Sequence, residues 1–260
     1  MFEPRSLSAP VAAVRDECVP EAIVIDCDRD FETLPPELAE GLGPFVERLN
    51  PASYPPDWVP AEAPQLLHRY ASDAFTIGMP GDGAIAWTRQ TTPPVVLVKA
   101  RVHGSPEAFV DFLLAEALVA CSLDVPEHFL GFFEAAYPAF DDVVPLDSSA
   151  TYQIAAACFD AWVGLHTREQ FSTWHDSHPE LAATWQDAGT RIEDRVGDLP
   201  RAVARGETNL ADATELAGAA VKHGLELPAP FAALDTAAYR DHGAPYAIRW
   251  AEATFEALTE

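Results

Sequence analysis

The sequence predicts a mainly helical α+β fold, a multi-helix bundle with a small antiparallel three-stranded sheet in its N-terminal half. Two observations support this. Apolar residues recur at the three- and four-residue spacing of a helix face through most of residues 105–260. Strand-like apolar runs are concentrated in residues 74–102. We therefore expect an α+β part over residues 1–104 and a helical part over residues 105–260, together forming one compact unit.

The first 73 residues alternate short helical patterns with proline-rich connections. The run AIVID at 22–26 predicts a short strand, and a helical stripe of apolar residues follows Pro35-Pro36. Proline suits the first turn of a helix, because its missing N–H would be unpaired there anyway. The segment 50–64 contains too many prolines to be anything but a loop.

Residues 74–102 predict the sheet. FTIGMP, the turn GDG at 81–83 and AIAWTRQ have the pattern of a hairpin, because glycine accepts the positive φ angles of tight turns. After TTPP, the run VVLVKARV predicts a third strand. Its consecutive apolar residues, Val95 to Val98, indicate a strand covered on both faces.

From Ser105 the chain is predicted to be helical. Ser105-Pro106-Glu107 is typical of a helix start, and Asp147 is placed to cap a central helix. Gly224 marks a helix end, and Asp235 is expected to cap a short helix that ends at Gly243. The predicted helices cover about residues 106–121, 126–137, 149–165, 167–174, 179–196, 209–223 and 244–258.

The charge balance constrains the environment of the protein. The chain carries 41 acidic against 16 basic residues, a formal net charge of −25, and its acids are spread from Glu3 to Glu260. Such self-repulsion is screened within about 3 Å at 1 M salt, against about 10 Å at 0.1 M. We therefore expect a salt-rich cytoplasm. Nucleic acid and anionic membranes are disfavoured as partners, because both are bound through lysine and arginine.

Membrane insertion and secretion are not expected either. No apolar run approaches the about 20 residues that span a bilayer, and the N-terminal segment lacks the pattern of a signal peptide. Four widely spaced cysteines, without a CxxC pair, are expected to be reduced and mostly buried, although a Cys18–Cys27 disulfide is conceivable.

One motif suggests phosphoryl chemistry. Asp26 and Asp28 follow a short hydrophobic strand, which resembles the nucleophile motif of haloacid-dehalogenase-type phosphatases. That resemblance implies that one carboxylate attacks phosphorus and the other does acid/base work. Together with Asp30 and Glu37, these acids also resemble a calcium loop, but Phe31 occupies the position at which such a loop needs glycine. The alternative is a solvated acidic turn.

Three histidines suggest a metal. His166, His175 and His178 lie within thirteen residues, and three imidazoles suit a zinc ion with an open position. The spacing matches no known zinc motif, so a pair of surface histidines is the alternative. Zinc is the one possible cofactor, and none is firmly predicted.

The order of a strand at 95–102 followed by helices at 106–121 and 126–137 resembles the layout of minimal zincin metallopeptidases. On that pattern Glu116 occupies the glutamate position of HExxH, but the two histidine positions hold Ala115 and Val119. A relation of this kind implies a degenerate fold without zinc on that helix.

A small-anion site is a further alternative. Arg89, Lys99 and Arg101 fall on the predicted sheet of a chain that has few cations. If they alternate onto one face, they are suited to bind an anion. Pairing with nearby acids is the other interpretation.

The chain resembles an uncharacterised protein family of halophilic archaea, a domain of unknown function, nearly from end to end. The segments that carry the resemblance are NPASYPPDW, FTIGMPGDGAIAWTRQTTPPVVLVKAR and LPAPFAALDTAAYRDHGAPYAIRWAEATFEAL. It implies a salt-rich cytoplasm, in agreement with the charge, and it implies no catalytic residues.

No complete catalytic set is present in the sequence. We therefore expect a non-enzymatic cytoplasmic protein that acts through binding or assembly, and an unidentified protein is one candidate partner. The alternatives are a metal-dependent hydrolase that uses the histidines or the Asp26 cluster, and a small-anion- or phosphate-binding protein.

Overall fold

The computed structural model describes residues 2–71, 77–79 and 83–259. The predicted fold class is confirmed: the protein is mainly helical, with a small sheet in the N-terminal half. The strands are β1 (Phe2–Pro4), β2 (Ile23–Cys27), β3 (Arg48–Leu49), β4 (Ile85–Thr88), β5 (Thr91–Thr92) and β6 (Val95–Val98). The helices are α1 (Ala9–Cys18), α2 (Pro36–Ala39), α3 (Gln65–Tyr70), α4 (Glu107–Ser122), α5 (Phe129–Phe133), α6 (Tyr137–Val143), α7 (Ser148–Ser177), α8 (Pro179–Val196), α9 (Leu199–Ala204), α10 (Leu210–Lys222), α11 (Ala237–His242) and α12 (Ala244–Thr259).

Backbone contacts divide the chain into two compact units. The first unit comprises Met1–Tyr54, Arg69–Glu127 and Trp174–Thr184, and the second comprises Pro55–His68, His128–Thr173 and Trp185–Glu260. Within the described parts of the chain, no helix has both the length and the apolar character needed to cross a membrane.

The sheet of the first unit has four strands in the order β1-β2-β6-β4. The predicted strands β4 and β6 pair antiparallel, but β2 joins the other edge of β6 and runs parallel to it. The first predicted hairpin strand and its turn lie largely outside the described residues. Within the described residues the sheet thus has four strands where three were predicted, and it is mixed because β2 runs parallel to β6 while the other pairs are antiparallel.

Both faces of β6 are covered, as the sequence predicts. All four of its side chains, Val95 to Val98, are buried. α4 packs on β4 and β6 and against α1. A second apolar cluster includes Leu34, Leu42 and Leu97. The sheet is therefore the core of the first unit.

The second unit is helical, and aromatic side chains form much of its core. Phe129, Phe133, Tyr137 and Phe140 are all buried, with ring centroids 4.8–6.5 Å apart. α12 packs against α5, α6 and α11. The hydroxyl of Tyr239 on α11 donates a 2.6 Å hydrogen bond to the carbonyl oxygen of Cys158 on α7.

Several predicted helix ends are confirmed, and one is shifted. Asp147 Oδ1 accepts hydrogen bonds from the N–H groups of Ser149 and Ala150, and Gly224 ends α10 with φ +66°. α11 is capped by Thr236 and not by Asp235, because the Asp235 carboxylate binds Arg168 at 2.5 Å. The helices predicted at 149–165 and 167–174 form one continuous helix, α7.

The cysteines match the prediction. Cys27, Cys121 and Cys158 are buried and Cys18 is half-buried. None of these four residues, all of them described, forms a disulfide.

Candidate functional site

An apolar pocket of about 620 Å³ lies in the second unit. α12 forms one wall with Tyr246, Trp250 and Ala253, among other residues. Because these positions are three or four residues apart, they form one stripe along the helix. The adjacent stripe, which includes Ala247 and Ala251, is buried in the core of the unit. α12 is therefore apolar on two faces, of which one lines the pocket.

The remaining walls come from shorter segments. Pro200 and Val203 lie on α9, Leu210 begins α10, and Phe231 opens the 3-10 turn Phe231–Leu234. The start of α10 is held by a helix cap. The Asn209 side-chain oxygen accepts a 2.8 Å hydrogen bond from the N–H of Asp212.

Trp250 fixes the base of the pocket. Its side chain is only 5% exposed, its ring centroid lies 6.5 Å from that of Phe231, and its indole Nε1–H donates a 3.0 Å hydrogen bond to the carbonyl oxygen of Pro230. An aromatic side chain that satisfies its polar atom is held in one orientation. The indole is thus positioned before any ligand arrives.

Arg249 is the only charged residue among the described residues that line the pocket. Its guanidinium carbon lies 5.9 Å from the ring centroid of Tyr246, at cation–π distance. A pocket with apolar walls and few polar groups is typical of a small-molecule site. The described lining contains no carboxylate, histidine or cysteine, and its polar side chains are those of Tyr246, Arg249 and Thr254.

Sequence reasoning did not single out this pocket. The segments that build it are LPAPFAALD and the α12 sequence. Their patterns indicate only helices or carry the family resemblance. The one hint in the sequence is that Tyr246, Arg249 and Trp250 lie three or four residues apart or adjacent in PYAIRWAEA, and so share one side of a helix.

Residues of two separately predicted sites lie at the carboxyl ends of β2 and β6. They are the acidic cluster of Asp26, Asp28 and Asp30, and Lys99 and Arg101 of the anion site. A guanidinium nitrogen of Arg5 lies 2.6 Å from a carboxylate oxygen of Asp26. Guanidinium nitrogens of Arg101 lie 2.7 Å from a carboxylate oxygen of Asp30 and 2.7 Å from one of Glu32. The hydrogen bond from Arg101 holds the pKa of Asp30 below its ordinary value.

Asp28 is exposed, next to the buried Cys27. Burial, followed by the charges of Asp26 and Asp28, raises the pKa of the Cys27 thiol to about 12. Lys99 is fully buried, with its ammonium 5.0 Å from the ring centroid of Phe31. Lys99 and Arg101 thus follow the same strand, but one is buried and the other is bound to two acids.

Arg89 lies elsewhere, within a polar cluster that the sequence did not reveal. Its guanidinium donates to the carbonyl oxygens of Leu123 and Val125, after the end of α4. The half-buried carboxylate of Glu127 accepts hydrogen bonds from Thr88 Oγ1 (2.9 Å), Arg89 N (2.7 Å) and Gln90 Nε2 (2.8 Å).

This cluster joins the end of β4 to the segment after α4. These hydrogen bonds tie the two segments together. Burial raises the pKa of Glu127 despite the three donors, which act in the opposite direction.

The three histidines of the predicted metal site have separate surroundings. The His166 ring lies 4.5 Å from that of Trp162, His175 is exposed, and His178 Nε2 lies 3.3 Å from a Glu17 oxygen. His166 and His175 are about two and a half turns apart on α7. Across the ranges that the structure describes, no three His, Cys, Asp or Glu side chains are grouped so that they could hold a metal ion.

Glu116, at the glutamate position of the zincin pattern, is half-buried on α4. Ala115 and Val119, at the histidine positions, are 0% and 1% exposed. This part of α4 is a buried apolar surface.

Comparison with known families places the chain in one of them. It belongs to the family described as "Family of unknown function (DUF7089)", whose model matches residues 1–258. Comparisons with curated proteins and with solved structures gave no match.

Proposed function

We propose that the protein is a non-enzymatic binding protein of a salt-rich cytoplasm, which takes a small apolar molecule into the pocket beside α12. The observation that carries this proposal is the apolar lining, free of carboxylates among the described residues, in a chain with 41 acids. A volume of about 620 Å³ is in the usual range of small-ligand sites, about 300–1,000 Å³.

The geometry of the lining supports reversible binding. Trp250 is held by its hydrogen bond to Pro230, so little ordering of the base is needed on binding. Ala253 and Ala257 are exposed on the outer wall, and Leu258 is 58% exposed. A ligand that covers these side chains removes apolar surface from water, at about 25 cal/mol per Å².

The distribution of acids supports the salt-rich environment. Among the described residues, no Asp or Glu side chain belongs to the fully buried set. Apart from the carboxylate of Glu127, which is withdrawn from water, the carboxylates are therefore in contact with solvent and counterions, where their repulsion depends on salt concentration.

The test uses a neutral fluorescent probe, N-phenyl-1-naphthylamine, titrated into the purified protein in about 1 M KCl, where charges are screened within about 3 Å. We expect saturable binding at one site. Ala253→Trp places a bulky side chain on the pocket wall at an exposed position and is expected to weaken binding at least about tenfold, or about 1.4 kcal/mol. Ala238→Trp, at an exposed position of α11 outside the lining, is the matched control and is expected to bind normally.

Absence of saturable binding, or equal binding by both tryptophan variants, contradicts the proposal. Sedimentation of the same samples covers the other occupant of an apolar pocket. A concentration-dependent dimer that Ala253→Trp abolishes would assign the pocket to a second copy of the chain and overturn the small-molecule function.

A further inference from the structure

We infer that the ligand of this pocket is an amphiphilic organic anion, whose carboxylate pairs with Arg249 while its apolar body lies along Trp250. This inference rests on the proposed function and names its ligand class.

The first observation is the state of Arg249. The chain has 41 acids for 16 bases, and most, though not all, of its other arginines are bound to carboxylates, for example Arg101 to Asp30 and Arg168 to Asp235. Arg249 is exposed, and it forms no ion pair within the described residues. Its neighbour is the ring of Tyr246 instead. In so acidic a protein, a cation without a carboxylate partner is available to an external anion.

The second observation is the charge of the surroundings. Glu252 follows Arg249 by one helical turn and Glu256 by two, but neither lines the pocket. Neither forms an ion pair with Arg249 in the part of the chain that the structure describes. Elsewhere the surface repels anions, since the net charge is −25. The pocket is therefore a place where an anion meets an arginine and no lining carboxylate.

The third observation is the chemistry of the two parts. A guanidinium presents paired donors that match the two oxygens of a carboxylate. The Tyr246 ring below it limits the orientations of the guanidinium, so less side-chain freedom is lost when the pair forms. Beside it, Trp250 and Phe231 form an apolar surface. One end of the site thus suits a carboxylate and the other suits a hydrocarbon.

The experiment compares octanoate with 1-octanol, which share a chain length and differ in charge. Both are titrated by calorimetry in about 1 M KCl, and the measured quantity is the ratio of the octanol Kd to the octanoate Kd. We expect Arg249→Gln to lower this ratio about threefold, below the upper range of an exposed ion pair, because 1 M salt screens part of the attraction. We expect Arg249→Lys, which keeps the charge, to retain at least half of the ratio.

Arg191→Gln is the matched control. Arg191 is exposed and pairs with Asp187 on α8, away from the pocket, so its replacement is expected to leave the ratio unchanged. The three possible failures are distinct. If both compounds bind but Arg249→Gln leaves the ratio unchanged, the anion inference is overturned and the proposed function stands. If Arg191→Gln lowers the ratio as much as Arg249→Gln, only the net charge matters and Arg249 has no specific role. If neither compound binds, the proposed function itself fails.

Discussion

The indole Nε1–H of Trp250 donates a hydrogen bond to the carbonyl oxygen of Pro230, at 3.0 Å. It joins α12 to the segment that precedes the 3-10 turn Phe231–Leu234. Trp250→Phe removes the donor and part of the buried ring, so we expect a loss of about 1–3 kcal/mol in unfolding free energy. We also expect weaker binding of N-phenyl-1-naphthylamine, because the base of the pocket loses its fixed orientation. Urea denaturation and probe titration measure the two effects.

Trp162→Phe is the control for this variant. Trp162 also donates to a backbone carbonyl, that of Arg240 at 3.0 Å, but it is only half-buried and lies outside the pocket. We expect a smaller loss of stability and unchanged probe binding. Equal effects of both variants on probe affinity would show that Trp250 has no special relation to the pocket.

Gly218 on α10 allows a close approach of α10 to α7. A Cβ atom added there would lie 3.0 Å from the carbonyl oxygen of Ala157, which is backbone and has little freedom to move. We expect Gly218→Ala to destabilise the protein by about 1–3 kcal/mol through overpacking, although alanine is the better helix former by about 1 kcal/mol.

Gly197 tests whether this cost is due to the contact. It has no atom within 4 Å of an added Cβ, so Gly197→Ala is expected to be neutral or slightly stabilising. The measurement is chemical denaturation of both variants. A neutral Gly218→Ala would mean that the two helices separate easily.

His128 makes stability depend on pH on the acid side. Burial lowers the pKa of its imidazole from the ordinary 6.5 to about 4. In the unfolded chain the residue gains a proton below pH 6.5, whereas the folded protein resists it until about pH 4. The unfolding free energy therefore falls as the pH drops from 6.5 to about 4. At about 1.4 kcal/mol per pKa unit, the loss is about 3 kcal/mol.

The measurement is the unfolding free energy from pH 7 to 4, for wild type and His128→Leu. We expect the loss towards pH 4 to be about 3 kcal/mol smaller in the variant. His175→Leu, which removes an exposed imidazole, controls for the substitution. Parallel pH profiles of wild type and His128→Leu would contradict the expectation.

Glu127 acts in the opposite direction. Burial raises the pKa of its carboxyl above the ordinary 4.5, so the folded state holds this proton more tightly than the unfolded chain. The stabilising contribution is present below pH 4.5 and is lost as the pH rises through the raised pKa. We expect the unfolding free energy of wild type minus that of Glu127→Gln to fall as the pH rises above 4.5. A difference that is constant with pH would show that the carboxyl does not titrate differently in the folded state.

The carboxylate-rich surface makes stability depend on salt. With a net charge of −25, we expect the melting temperature to rise as KCl increases from about 0.1 M to about 1 M. Asp194, Glu207 and Glu215 are exposed in one cleft formed around α8 and α10. The triple variant Asp194→Asn, Glu207→Gln, Glu215→Gln is expected to show a weaker dependence. A wild-type protein with the same melting temperature at both KCl concentrations would refute the proposed salt-rich environment.

Local signals predicted the features that depend on few residues. The Asp147 cap, the glycine end of α10 and the buried strand β6 all follow from neighbouring side chains or from an apolar run. The same is true of the fold class, because helical spacing persists over most of the chain.

Features that depend on distant partners were not predictable. The pairing of β2 with β6 joins residues about 70 positions apart, and nothing in AIVID states its partner or direction. Thr236 replaces Asp235 as a cap only because Arg168 lies near Asp235. The pocket has the same character: its walls come from α9, α10, a 3-10 turn and α12, and no single segment shows that they meet.

The confinement of carboxylates to solvent-accessible positions has a consequence for evolution and engineering. Among the described residues no Asp or Glu is fully buried, and only Glu127 has a carboxyl whose pKa is raised mainly by strong burial, so the acidity belongs almost entirely to the surface. On the proposed adaptation to salt, exchanging surface acids for neutral or basic residues is expected to reduce the salt dependence of stability, with helix packing and pocket walls left intact.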